Sequence, residues 1–183
     1  MYRKCATEIS VQRQHQLTQA LLTLMDRIPY SDITVKQICE TAGISRRIFY
    51  HLFPGKQDAL FALVDLIILD SEGYQADSRN NLLGFFTYWR QQGRLFDALE
   101  KNGLTNVLWE RMLQIVQAEA FDVRYWLKST DSGDEEDTLL FTMSGIMGMT
   151  FTWYQRGFDR SPEEMAQMMA RLVRKPLLPD ELL

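Results

Sequence analysis

The sequence predicts an all-α protein of about nine helices, with a three-helix head (residues 1–55) joined to a helical body (residues 56–183). Three observations carry that prediction. Apolar residues recur at spacings of three and four along most of the chain. Helix-capping Ser and Thr and helix-breaking Gly and Pro fall between these runs. No stretch of four or more residues alternates convincingly at period two.

In the head, Leu17, Ala20, Leu21, Leu24, Met25 and Ile28 share one face of a first helix, which Pro29-Tyr30-Ser31-Asp32 breaks. Thr34 is suited to cap a short second helix whose apolar positions are Val35, Ile38, Cys39 and Ala42. Gly43 follows as the residue that most readily takes the left-handed geometry of a tight helix end. Ser45 then caps a third helix, Arg46 to Phe53, which Pro54-Gly55 stops. A fourth begins near Lys56 and turns Leu60, Leu63, Val64, Ile67 and Ile68 inward.

Five more helices are expected near residues 78–92, 94–101, 104–128, 136–156 and 162–174. Gly93, Asn102-Gly103, the polar stretch Ser129 to Asp134 and the segment Gly157 to Ser161 separate them. Ser161-Pro162-Glu163-Glu164 is a strong start signal: a cap, a proline at the first helical position and acids in the first turn.

Charge is unevenly shared. The chain carries a net −4, yet residues 1–56 hold +4 and residues 57–183 hold −8. A basic head on an acidic body suits a protein whose head alone approaches a polyanion. Hydrophobic residues at 46% and charged residues at 24% match a soluble globular protein, and no apolar run is long enough to span a membrane. The first residues lack the apolar stretch of a secretory signal, and the two cysteines, Cys5 and Cys39, have no metal-ligand spacing. A cytoplasmic protein without cofactor or metal is expected.

Two short helices joined by a tight Gly turn form a helix-turn-helix, whose second helix enters the major groove of double-stranded DNA. Here the first turn of that second helix carries Arg46 and Arg47. Cations there oppose the helix dipole at about 0.3–1 kcal/mol each, so stability alone favours acids. A bidentate Arg–guanine contact is worth about 1–3 kcal/mol, which gives the arginines a reason to be present. A solvated basic turn is the other reading. Tyr50 offers a hydroxyl to phosphate and a ring to a thymine methyl, or else packs in the core; His51 can donate to phosphate. Lys56, at the start of the fourth helix, can hold a phosphate together with that helix's free amides. Phe49 and Phe53 are expected in the core.

The stretch Thr34-Val-Lys-Gln-Ile-Cys-Glu-Thr-Ala-Gly-Ile-Ser-Arg-Arg-Ile-Phe-Tyr-His-Leu-Phe-Pro-Gly-Lys56 resembles the DNA-binding signature of the TetR (tetracycline repressor) family. That resemblance implies DNA contacts from Thr34, Lys36, Ser45, Arg46, Tyr50, His51 and Lys56. Two positions depart from the pattern, and both bear on the operator sequence. Arg47 stands where the family usually has a small residue, and Leu52 where His or Tyr is common. Further on, Gly145-Ile-Met-Gly148 and Trp153-Tyr-Gln-Arg-Gly157-Phe-Asp-Arg-Ser-Pro-Glu-Glu164 are similar to the branch containing regulators of dihydroxyacetone kinase genes. That branch implies a homodimer formed through the last two long helices, and the family implies a regulator, typically a repressor, released by an effector.

Ser144, Gly145 and Gly148 place small residues on or near one helical face. Glycine costs about 1 kcal/mol inside a helix, so another helix is expected to approach closely there, from a second copy or from the same chain. Phe86, Trp89, Trp109, Met112 and Phe141 are candidates to line a pocket for a small apolar or amphipathic effector; ordinary core is the alternative. An enzyme is not expected, because nucleotide-binding, metalloprotease and nucleophile-elbow motifs are absent and His15 and His51 are the only histidines. The acidic run Asp131 to Asp137 fails the calcium-loop pattern. The remaining rival is a helical protein-interaction module or co-regulator that answers to a protein partner. Salt-sensitive retention on DNA cellulose separates the two.

Overall fold

The computed structural model describes residues 7–73, 81–117 and 135–174. Among them the chain forms nine α-helices and one short 3-10 turn, with no strand. In order these are α1 (Glu8–Met25), the 3-10 turn (Tyr30–Asp32), α2 (Val35–Ala42), α3 (Arg46–Leu52), α4 (Lys56–Gly73), α5 (Asn81–Gln91), α6 (Gly93–Lys101), α7 (Thr105–Gln117), α8 (Glu135–Gln155) and α9 (Pro162–Arg174). The start of the helix expected at 78–92, the end of that expected at 104–128 and the loop Ser129 to Asp134 lie outside the described residues. Gly93, expected to separate two helices, is instead the first residue of α6.

α1 begins well before its apolar stripe. Thr7 caps it, its hydroxyl oxygen accepting from the Ser10 amide at 3.3 Å. The buried line then runs Gln14, Leu17, Thr18, Leu21 and Met25, at helical spacing. α2 is held by a reciprocal capping box. The Thr34 hydroxyl accepts from the Gln37 amide at 3.2 Å, and the Gln37 side chain accepts from the Thr34 amide at 2.8 Å.

Gly43 ends α2 with φ +65°, while the Ile44 amide reaches back to the Cys39 carbonyl at 3.0 Å. A Cβ added at Gly43 would meet nothing within 4 Å, so only the dihedral resists substitution. Gly43→Ala is therefore expected to cost about 1–2 kcal/mol in urea denaturation, and Gly43→Asn distinctly less. Equal costs for the two would contradict this account of the turn.

Contacts gather the chain into two compact units. The first comprises Met1–Leu69 and Leu95–Ile115. In it α1, α2 and α3 pack on one another around Leu17, Leu21, Met25, Ile38, Phe49, Leu52 and Phe53, all buried. Phe49 and Phe53 lie 5.4 Å apart between ring centres. α4 is buried around much of its circumference, at Ala59, Leu60, Leu63, Val64, Asp65, Ile67 and Ile68. The end of α6 is tied to the α1–α2 connection: Lys101 donates to the Asp26 carbonyl at 3.0 Å, and the Tyr30 amide donates to the Asn102 side chain at 2.6 Å.

The second unit comprises Asp70–Arg94 and Val116–Leu183, with α5 packed on α8 and α9. Trp153 is its anchor: its indole N–H donates to the Arg160 carbonyl at 3.1 Å, and Phe86 meets its ring edge-on at 5.7 Å. Gly157 and Phe158 both take positive φ in the α8–α9 turn. A left-handed Phe is costly, and here its ring is held against Trp153 at 4.8 Å. Ser161 and Glu164 cap α9 reciprocally, at 3.2 and 2.7 Å.

Candidate nucleic-acid interface

α3 divides its residues by face. Phe49 and Leu52 point into the head and are buried, whereas Arg46, Arg47, Tyr50 and His51 are exposed. Tyr50 is 51% exposed, its ring edge-on to Phe49 at 5.5 Å. The Arg46 guanidinium lies 6.0 Å from the Tyr50 ring centre, which steers it along the outer face of the helix. Leu52, a departure from the family pattern, is spent on packing.

Ser45 caps α3, accepting from the Ile48 amide at 3.4 Å. Thr34 caps α2 with its hydroxyl donating to Gln37 at 2.8 Å, so both caps are structural yet exposed. Lys36 pairs with Glu40 one turn on, at 3.7 Å and with both side chains mostly in solvent. Such a pair contributes about 0.3–0.5 kcal/mol and is readily exchanged for a phosphate.

Lys56 is placed differently from the other candidates. Its ammonium donates to the carbonyls of Tyr30 at 2.6 Å and Ser31 at 3.1 Å and lies 4.4 Å from the Tyr30 ring centre. Partial burial lowers its pKa, opposed by Asp32; burial, helped by Asp58, pushes the Tyr30 phenol up to about 12. Lys56 thus straps the start of α4 to the α1–α2 connection, in contacts that are internal to the head.

Between α1 and α3 runs an open groove of about 540 Å³, lined by Ser10, Arg13, Arg47, Ile48, Tyr50, His51 and Leu52. No carboxylate lines it. Ser10 and Arg13 were not foreseen from the sequence. The available signal was their spacing, since they continue the line of Leu17 toward the N-terminus as polar residues.

The profile described as "Bacterial regulatory proteins, tetR family" matches residues 17–63. A second, "Transcriptional regulator C-terminal region", matches residues 81–175, more than half of the chain. The chain belongs to the TetR family. It is accordingly a DNA-binding transcriptional regulator, and the helix-turn-helix of α2 and α3 is its family's DNA-binding motif.

Solved structures share the fold of this TetR-family regulator. "Dihydroxyacetone kinase operon activator DhaS" is 20% identical with a TM-score of 0.61, covering 89% of this chain and 94% of that one. A TetR transcriptional regulator from Streptococcus agalactiae 2603V is 17% identical with a TM-score of 0.63, covering 91% and 96%. One from Streptomyces coelicolor is 22% identical with a TM-score of 0.51, covering 87% and 78%.

The other candidate residues of this TetR-family chain fall in both units. Phe86 and Trp89 are buried on α5, and Phe141 on α8 is 64% exposed; all three belong to the second unit. Trp109, half-buried, and Met112, buried, lie on α7 in the first. On α8, Ser144 and Gly148 are half-buried and Gly145 is exposed. Among the described residues no helix is long and apolar enough to cross a membrane.

Proposed function

We propose that this regulator represses transcription in the cytoplasm by binding a palindromic operator as a homodimer, and that an effector releases it. The observation that carries the reading is the outer face of α3, where Arg46, Arg47, Tyr50 and His51 are exposed together. Arg46 reads bases, Arg47, Tyr50 and His51 hold the flanking backbone, and Thr34, Lys36 and Ser45 contact phosphate from the turn and α2. The amides at the start of α4 supply a further phosphate contact, with Lys56 fixing where that helix begins. Selection of bound genomic fragments, followed by titration across salt concentrations, tests this: one sequence class bound tightly, with affinity falling steeply with salt, is expected. A reporter behind that operator tests the sign of regulation. Removing the protein raises expression under repression and lowers it under activation, the role for which DhaS is named.

The dimer is supported by α8. Phe141, Gly145, Gly148 and Thr152 share a face at spacings of four, three and four, and Phe141 and Gly145 are exposed. A Cβ added at Gly145 would meet nothing within 4 Å among the described residues, so its small size answers no close approach from any of them. Gly145→Leu is expected to leave the protomer folded, with a gain in helix propensity, and to weaken self-association at least about tenfold, equivalent to 1.4 kcal/mol. Sedimentation that shows the variant as dimeric as the wild type contradicts this interface.

The effector is a small apolar or amphipathic molecule held among the helices of residues 78–153. By binding one arrangement better than another it shifts α4, and with it the spacing of the two heads. A ligand that changes both tryptophan fluorescence and operator affinity supports this; a protein partner producing the same release favours the co-regulator reading.

A further inference from the structure

We infer that Arg13, on α1 and outside the helix-turn-helix, is a DNA-backbone contact, and that with Arg47 it forms a two-helix phosphate clamp beside α3. The inference rests on the DNA-binding reading above and extends it to a second helix.

Arg13 sits where the buried stripe of α1 runs out. The line Gln14, Leu17, Leu21 and Met25 is buried, and beside its N-terminal end the helix carries exposed Arg13 and, one turn earlier, half-buried Ser10. Packing of α1 on α3 brings that end alongside Arg47, Tyr50 and His51 in the groove of about 540 Å³. The lining offers two guanidiniums, an imidazole, a phenol and a serine hydroxyl, all able to donate hydrogen bonds. Neither guanidinium is held in an ion pair among the described residues.

Such an arrangement costs the free protein something. Two cations share one groove without a carboxylate between them, and Arg47 also opposes the dipole of α3. A phosphate diester entering the groove reverses both terms, since it carries negative charge and accepts from both arginines. Because Tyr50 and His51 line the same groove, the backbone held there is the one flanking the bases that α3 reads. The long side chain of Arg47 closes the clamp from the α3 side.

The test uses the full-length protein, its selected operator duplex and an unrelated duplex of equal length, each titrated across salt. Arg13→Ala is expected to weaken binding to both duplexes alike and to flatten the salt slope by about one unit per head. Arg13→Lys should retain most of the slope, and Arg13→Glu should lose more than the alanine variant. Thermal stability without DNA should be unchanged or raised in Arg13→Ala, which a merely structural arginine does not allow. An Arg13→Ala protein with wild-type slope and affinity overturns the clamp. If Arg46→Ala or Arg47→Ala still loses operator affinity in that case, the DNA reading itself survives. A folded wild-type protein that binds neither duplex at low salt overturns both.

Discussion

A variant with both Arg46 and Arg47 replaced by alanine is expected to lose operator affinity by about 2–6 kcal/mol, a drop of thirtyfold or more. Both side chains are exposed on the first turn of α3, and neither supports the core formed by Phe49 and Leu52. The loss should therefore come without loss of fold, and removing two cations from a helix N-terminus should leave stability equal or slightly higher. Specificity should fall with affinity, because base contacts discriminate and phosphate contacts do not. Electrophoretic mobility shifts on operator and scrambled duplexes read both quantities. Operator affinity within twofold of wild type in the folded double variant would sink the assignment of α3 as the reading helix.

The largest expected effect on stability lies in the ion pair between α4 and α7. Arg111 donates from Nε to Asp65 at 2.7 Å and from Nη2 to its second oxygen at 2.5 Å, with both side chains over nine-tenths buried. Its Nη1 donates to Gln114, and its guanidinium lies 5.2 Å from the Phe61 ring centre. Removing one member strands the other charge in the interior, at about 3–5 kcal/mol. Arg111→Ala and Asp65→Ala should each show that loss in urea denaturation, a large fraction of the roughly 5–15 kcal/mol typical of a domain. The joint replacement Asp65→Leu with Arg111→Met should recover most of it, because no uncompensated charge remains. Single variants costing under about 1 kcal/mol would mean that water reaches the pair.

The head was legible residue by residue because its signals are local. Caps at Thr34 and Ser45, the turn at Gly43 and the stop at Pro54-Gly55 act within one or two helical turns of themselves. The first half of α1 was not, because it starts on the cap of Thr7 and carries Ser10, Arg13 and Gln14 where an apolar stripe would have announced it. The same gap hid the groove between α1 and α3. Lys56 shows another limit. Its type and position suit a phosphate, yet its bonds to the carbonyls of Tyr30 and Ser31 depend on a fold-back of about 25 residues that no local pattern encodes. The Asp65–Arg111 pair and the ties from Lys101 and Asn102 are invisible for the same reason, since they join residues 46 to 75 positions apart. In the second unit, helical spacing marked Phe86, Trp89 and Phe141 alike, but spacing cannot separate a buried aromatic from one left at the surface.

The account stands most directly on hydroxyl-radical footprinting of the purified protein on its selected operator. A two-fold dimer reading DNA through α3 predicts two protected half-sites of inverted sequence, centred about one helical turn (~34 Å) or a whole multiple apart. Protection should fade together at both half-sites as salt rises, and Gly145→Leu should require more protein to protect either. A single protected segment of non-palindromic sequence, bound by a monomer at full affinity, would contradict the account.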